Sequence, residues 1–253
     1  IVQPYMMQWK HKDGHPIWLE LRLTPIYDSS GKLTVIEGIA RDFTERRIME
    51  NRLEYLSMHD ALTGMYNRAS YEQFISSLSA EQQKPVGVIV CDVDGLKMIN
   101  DSLGHDAGDQ LIKTVAELLT VSLKQADLVA RIGGDEFAAI IIGLSEEEIC
   151  QICINIRQAV AEANRRESNI PVSLSLGYSF GMLGTRNIKA IIREADDYMY
   201  REKFKRRPQT RKTIIQALMQ TVENRDLAGK VQSENIQKLV GGFCQELRLS
   251  DKM

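Results

Sequence analysis

Along residues 7 to 41 apolar and polar positions alternate. Ile17, Leu19, Leu21 and Leu23 fall on one face and Trp18, Glu20 and Arg22 on the other, the period of a strand with one covered side. Asp13-Gly14 and Ser29-Ser30-Gly31 interrupt the alternation with turn chemistry, which predicts three antiparallel strands. A sheet this small does not stand alone, so the segment reads as the closing part of a domain. Then the period changes. Thr44 suits an N-cap, and Met49, Leu53 and Leu56 step by four and three, predicting a helix with one narrow apolar seam. Two readings of that seam stand side by side: a helix packed on its own domain, or a dimeric coiled-coil linker.

Residues 59–207 carry the main body. The pattern predicts a helix around 68–79, the strand Val86-Gly87-Val88-Ile89-Val90-Cys91 and a short helix near 95–101. After a loop through Gly104 comes a long helix over about 107–123, with Leu111, Val115 and Leu118 as its core stripe. A hairpin follows, then a helix at about 145–164 and a strand from Val172 to Phe180. A helix from about Asn187 to Arg206 turns Ile188, Ile192, Ala195 and Met199 inward. Pro208 is expected to end it and to mark a boundary. Two further helices, about 210–224 and 230–247, are expected beyond, broken at Arg225-Asp226-Leu227-Ala228-Gly229. Strands and helices alternate, but the hairpin makes the sheet mixed, so the expected fold class is α+β.

Composition adds bounds. With 253 residues, 43% hydrophobic and 26% charged, the chain reads as globular and soluble, with room for one large domain or two smaller ones. A formal charge of -2 carries no nucleic-acid signature. No apolar run reaches membrane-spanning length and no signal peptide is visible, so no membrane contact is expected in this chain. The chain starts at Ile1 rather than Met, which suggests a piece of a longer protein that could be membrane-tethered upstream. Cys150 and Cys153 form a CxxC inside the helical repeat Ile149, Cys153, Ile156, Val160. Buried small hydrophobes are the expectation there, not a metal or redox pair, and a cytoplasmic setting fits. His11, His15 and His59 show no metal spacing and suit solvated or turn positions.

Chemistry concentrates in two acidic pairs, each directly after a strand-like run. The first strand ends in Cys91-Asp92-Val93-Asp94, and RIGGDEFAAIII at 131–142 interrupts the hairpin with Gly133-Gly134 before Asp135 and Glu136. Strand alternation puts Asp92 and Asp94 on one side. The glycines are expected to allow a tight turn with positive φ and a close ligand approach. Carboxylates gathered at strand ends repel one another unless a cation joins them, and hard oxygen donors suit Mg²⁺ bridging to nucleotide phosphates. Solvated loop acids are the competing reading.

Four blocks in order resemble the GGDEF family of diguanylate cyclase domains: DALTGMYNR at 60–68, CDVDGLKMINDSLGHDAGDQL at 91–111, RIGGDEF at 131–137 and ADDYMYREKFKRR at 195–207. SLG at 175–177 adds a weaker fifth. The resemblance implies a palm-like mixed sheet, related to nucleotidyl cyclases, over residues 59–207. It implies condensation of two GTP into cyclic di-GMP with release of pyrophosphate, in a homodimer, with Mg²⁺ as cofactor or Mn²⁺ in its place. It implies Asp92, Asp135 and Glu136 as catalytic residues and, with the Val93 carbonyl, as metal ligands. Glu136 would sit at the metal or near the attacking hydroxyl. Gly133 and Gly134 would let phosphates lie against the turn. Asn100 and Asp109 would bind guanine edges, and Asp109 in place of a serine favours GTP. Lys97, Lys203 and Arg207 would reach phosphates, the last two sharing a helix face. His105 and Asp94 are given structural roles as readily as chemical ones. A catalytically silent, GTP-binding domain regulating a neighbour is the alternative reading.

The family's product-inhibition motif appears in altered form, as Lys124 and Asp127. Lysine keeps the charge but loses arginine's fork, so weak feedback is expected. Residues 1–43 resemble the last strands of a PAS sensory domain, leaving 44–58 as linker helix. Residues 208–253 resemble, in degenerate form, the opening of an HD-type phosphohydrolase domain. Gln232 stands where such domains often carry an early His, so no hydrolase activity is expected.

Overall fold

The computed structural model describes residues 4–78, 83–165 and 170–225, with side chains to residue 219. The expected helix at 230–247 and Gln232 lie outside them. The chain divides into two compact units between Ser57 and Met58. In the first, β1 (Tyr5–Lys10), β2 (Pro16–Tyr27) and β3 (Leu33–Asp42) form an antiparallel sheet in the order β1-β2-β3. Within these strands only Leu19 is buried. Phe43 N–H donates to the Trp18 carbonyl and Trp18 N–H to Thr44 Oγ1 at 2.7 Å, which fixes where β3 gives way to α1 (Thr44–Met58). No α1 residue is buried; Met49 and Leu53 are 64% and 63% exposed.

The second unit contains α2 (Arg68–Ser77), β4 (Pro85–Val93), α3 (Leu96–Leu103), α4 (His105–Ser122), β5 (Leu128–Arg131), β6 (Glu136–Ile142), α5 (Glu146–Arg165), β7 (Leu174–Met182) and α6 (Ile188–Arg225). The class is α+β. The sheet order is β5-β6-β4-β7, and every strand pairing is antiparallel. Among the described residues parallel pairing survives only as two isolated bridges, Tyr66 with Ala130 and Leu183 with Arg186. The reason is a split βαβ unit: β6 inserts between β4 and β5, so two strands joined by a helical crossover never touch. Among the described residues no helix is long and apolar enough to cross a membrane.

Both faces of the sheet are covered, and alternation along β4 divides the core. Ile89, Cys91 and Val93 join Leu111, Val115 and Leu119 of α4 and Ile149 and Ile156 of α5. The stripe on α4 uses Leu119, with Leu118 only partly buried. Val86, Val88 and Val90 face the opposite way, toward Tyr71 of α2 and Ile191, Ala195 and Met199 of α6. Cys153 is buried as expected, and Cys150 half-buried; burial pushes the Cys153 thiol up to about 12.

Helix α6 does not stop at Pro208 but continues to Arg225. Proline removes one N–H and crowds the preceding turn, at a cost of about 3 kcal/mol. Residues 204–209 are all exposed, so water can serve the carbonyl left unpaired. Beyond the proline, Ile214 and Leu218 are buried in the larger core, each stabilising by roughly 1.5–3 kcal/mol. Burial outweighs the break, and the start of the segment after residue 208 packs as part of this unit.

Candidate active site

Strand β4 is paired on both sides, and its end is where the acids meet. Asp92 lies opposite Glu136 on β6 and Ser175 on β7. One step on, Val93 N–H donates to the Asp135 carbonyl at 2.8 Å. The β5–β6 turn is thereby held against the strand end. Asp92 is 3% exposed, and its Oδ1 is buried without a hydrogen-bond partner. Burial is the main influence on its carboxyl, pushing the pKa up to about 6; the Lys203 bond pulls the other way, and the charge of Asp135 adds to the rise.

Asp94 does something else. Ser173 and Ser175 hydroxyls donate to its two oxygens at 2.8 and 2.7 Å, and Ser173 also meets Thr210 Oγ1 at 3.2 Å. This buried carboxylate fastens β7 and α6 to the strand end. The equivalence of Asp92 and Asp94 expected from alternation is lost at the last strand residue.

Helix α6 brings the cation. Ala195, Met199 and Lys203 step by four along one face, and Lys203 Nζ reaches Asp92 Oδ2 at 2.6 Å. Partial burial alone would lower the lysine's pKa, but the bond to Asp92 and its charge outweigh it and raise it. The approach depends on Gly177 in β7. A Cβ there would lie 2.1 Å from the Ala195 carbonyl oxygen and 2.3 Å from the Met199 nitrogen, so backbone would have to move. Arg157 of α5 holds Glu202 through both nitrogens, and Arg206 bonds Glu202 and the Leu174 carbonyl. Arg207, one turn beyond Lys203, is exposed.

At the other end, α3 and α4 meet at Gly104. Asn100 lies directly over Gly108, where a Cβ would sit 1.8 Å from its Oδ1. That oxygen is buried without a partner. Asp109, next to Gly108, is exposed, as are Lys97 and His105. The two guanine-reading candidates thus come to neighbouring positions on adjoining helices.

Neither Gly133 nor Gly134 adopts the positive φ expected of them. Gly133 supplies room instead: a Cβ would approach Glu136 Oε2 to 2.5 Å, whereas at Gly134 it would meet open space. The turn is braced from outside. Arg131 donates to the Gly134 carbonyl at 2.8 Å and to Asp60 Oδ1 at 3.0 Å. Asp60 in turn accepts from the Thr63 N–H and hydroxyl. Partial burial opposes ionisation of Asp60, but those bonds outweigh it and lower its pKa. Both residues stood in quoted motifs without a role; an aspartate and an arginine recurring in separate blocks was the available signal.

Asp127 Oδ2 accepts from Ile142 N–H at 2.7 Å, tying the start of β5 to the end of β6, and Lys124 is exposed. Two surface grooves, of about 500 and 370 Å³, are lined by Ile154, Arg157 and Arg165 and by Leu62, Lys113 and Val121. Neither includes Asp92, so chemistry rather than concavity marks the site. The donor set fits a hard dication: adjacent carboxylates, one with a buried oxygen lacking a partner.

Comparison with known proteins bears on the family. The sequence profile described as "Diguanylate cyclase, GGDEF domain" matches residues 57–209. The "Cyclic di-GMP phosphodiesterase PdeB" of Shewanella oneidensis is 31% identical over 72% of this chain and 21% of its own length. The "Probable diguanylate cyclase DgcT" of Escherichia coli is 33% identical over 68% of this chain and 38% of its own. The crystal structure of the coiled coil and GGDEF domain of DgcB from Caulobacter crescentus, in complex with c-di-GMP, superposes with a TM-score of 0.55 at 25% identity. It covers 63% of this chain and 87% of that one. The chain spans 13% to 38% of the length of five curated relatives. With the profile covering more than half of its residues, the chain belongs to the GGDEF diguanylate cyclase domain family.

Proposed function

We propose that the chain is a diguanylate cyclase, condensing two GTP into cyclic di-GMP and releasing two pyrophosphates. The observation that carries the reading is the meeting of Asp92, Asp135 and Glu136 at one end of the sheet, with a partnerless buried oxygen on Asp92. Asp92, Asp135, Glu136 and the Val93 carbonyl would hold Mg²⁺, or Mn²⁺, which when bound supplies neutralisation of phosphoryl charge. The protein's own part is positioning. Asn100 and Asp109 read the guanine edge, with the Asp109 carboxylate accepting from N–H groups. Lys97, Lys203 and Arg207 take triphosphate oxygens, and Gly133 and Gly134 leave the turn open to them. The ammonium of Lys203 has three donors, so it can meet a phosphate oxygen while it balances the buried Asp92 carboxylate. Glu136 faces the attacking 3′-hydroxyl or the cation.

Each domain holds one GTP, so the 3′-hydroxyl of one must reach the α-phosphate of the other, and two chains are needed. The exposed Ile48, Met49 and Leu53 of α1 support a helix-to-helix dimer seam. The strands before α1 fit the end of a PAS-like sensory region that sets dimer geometry.

Incubation with GTP and Mg²⁺, followed by separation of products, tests this. Cyclic di-GMP with two pyrophosphates for each is the expected result. Mg²⁺-dependent GTP binding without product would leave a silent regulatory domain, and the absence of both would overturn the site.

A further inference from the structure

The turn between β1 and β2 gathers three side chains that the cyclase reading does not use. His11 N–H donates to the His15 carbonyl and Gly14 N–H to the His11 carbonyl, both at 2.8 Å. Gly14 takes φ 90°, which lets the chain reverse within five residues. Closure stacks the rings of His11 and His15, with centroids 4.5 Å apart and planes 24° from parallel. Asp13 Oδ2 lies 3.0 Å from His11 Nδ1. One ligand atom from each of the three falls within 4.8 Å of the others. His11 and His15 flank a turn as expected, and that turn brings them closer together than their spacing in the chain suggests. Asp13-Gly14 is the turn expected from the sequence, and it folds the three side chains into a cluster.

We propose that His11, Asp13 and His15 form a binding site for a borderline transition-metal dication such as Zn²⁺ at the root of helix α1. Two imidazole nitrogens and one carboxylate oxygen suit such an ion, whereas Mg²⁺ prefers oxygens and water. Tetrahedral zinc with bonds near 2.0 Å needs ligand atoms roughly 3.3 Å apart. Side-chain rotations of half-buried and exposed groups close that gap, and water completes the shell. The backbone turn is already formed, so little ordering is left for binding to impose.

Location gives the site a consequence. Asp42, at the end of β3, is close enough to feel the charge of both histidines, and its Oδ1 accepts from Thr44 N–H at 2.8 Å. Thr44 is the first residue of α1 and holds Trp18 of β2 through its hydroxyl. A dication on the turn attracts Asp42 as well and draws the hairpin toward the junction where the linker helix begins.

The test titrates Zn²⁺ into the full chain with excess Mg²⁺ present, following binding by calorimetry and the four imidazoles by NMR. The expected result is that signals of His11 and His15 move together while those of His59 and His105 stay. His11→Gln and His15→Gln each weaken this binding roughly tenfold or more, since losing even an outer partner of a metal ligand costs that much. Circular dichroism of both variants stays unchanged. Zinc that leaves His11 and His15 unmoved, or binds the double variant equally well, would show a hydrogen-bonded turn and nothing more. Should the double variant misfold, the NMR titration of the unaltered chain decides alone.

Discussion

Asp92 and Lys203 share a 2.6 Å contact, and its balance sets how the site answers to pH. Burial raises the Asp92 pKa from 3.8 to about 6 against the pull of Lys203. The native state therefore takes up a proton before the unfolded chain does as pH falls. Its contribution to stability is present at low pH and is lost as pH rises from 3.8 to about 6. Cation binding needs the ionised form, so Mg²⁺-dependent GTP binding should weaken as pH drops below about 6. Lys203→Met should move the Asp92 midpoint upward, measured by carboxyl NMR; a midpoint that stays or falls would contradict the pairing. Glu136→Gln keeps shape and removes charge opposite Asp92. Turnover should fall roughly a hundredfold or more with an unchanged melting temperature, and undiminished product formation would remove Glu136 from the chemistry. At this scale the sequence made the acids legible, because two strand-ending pairs stand out. It hid what separates Asp92 from Asp94, since Ser173 and Ser175 lie 79 and 81 residues away from Asp94.

Among the elements, the hairpin, the three-stranded sheet and α1 follow local periodicity, and local periodicity was readable. The β4 alternation likewise divided the core as expected of a strand covered on both faces. Two features depended on tertiary context. The antiparallel sheet arises because β6 enters between β4 and β5, a choice of neighbour that no local pattern records. Helix α6 crosses Pro208 because Thr210, Ile214 and Leu218 find a core beyond it; in sequence, the same spacing reads as a new helix. Ile214→Ala tests this. With Ile214 at 1% exposure, removal should cost the second unit about 2–5 kcal/mol, seen in chemical denaturation. No loss would detach the post-proline segment from the fold.

For the whole molecule, the division between Ser57 and Met58 separates the three-stranded unit with α1 from the unit that the GGDEF profile matches. If two half-sites must meet, product formation should rise faster than linearly with enzyme concentration until dimers saturate. A charge introduced on the exposed apolar side of α1, by Leu53→Glu, should lower the rate at a fixed concentration while leaving GTP binding intact. Strictly linear dependence would indicate a site complete in one chain. The central claim is that carboxylates from the end of β4 and from the β5–β6 turn together hold a cation that a nucleotide shares. It is tested most directly by titrating GTP into the protein with and without Mg²⁺, beside the Asp92→Asn variant. The account predicts binding that depends on Mg²⁺ and weakens at least roughly tenfold in the variant, with the fold unchanged by circular dichroism. Equal GTP affinity with and without Mg²⁺, and in both proteins, would contradict it.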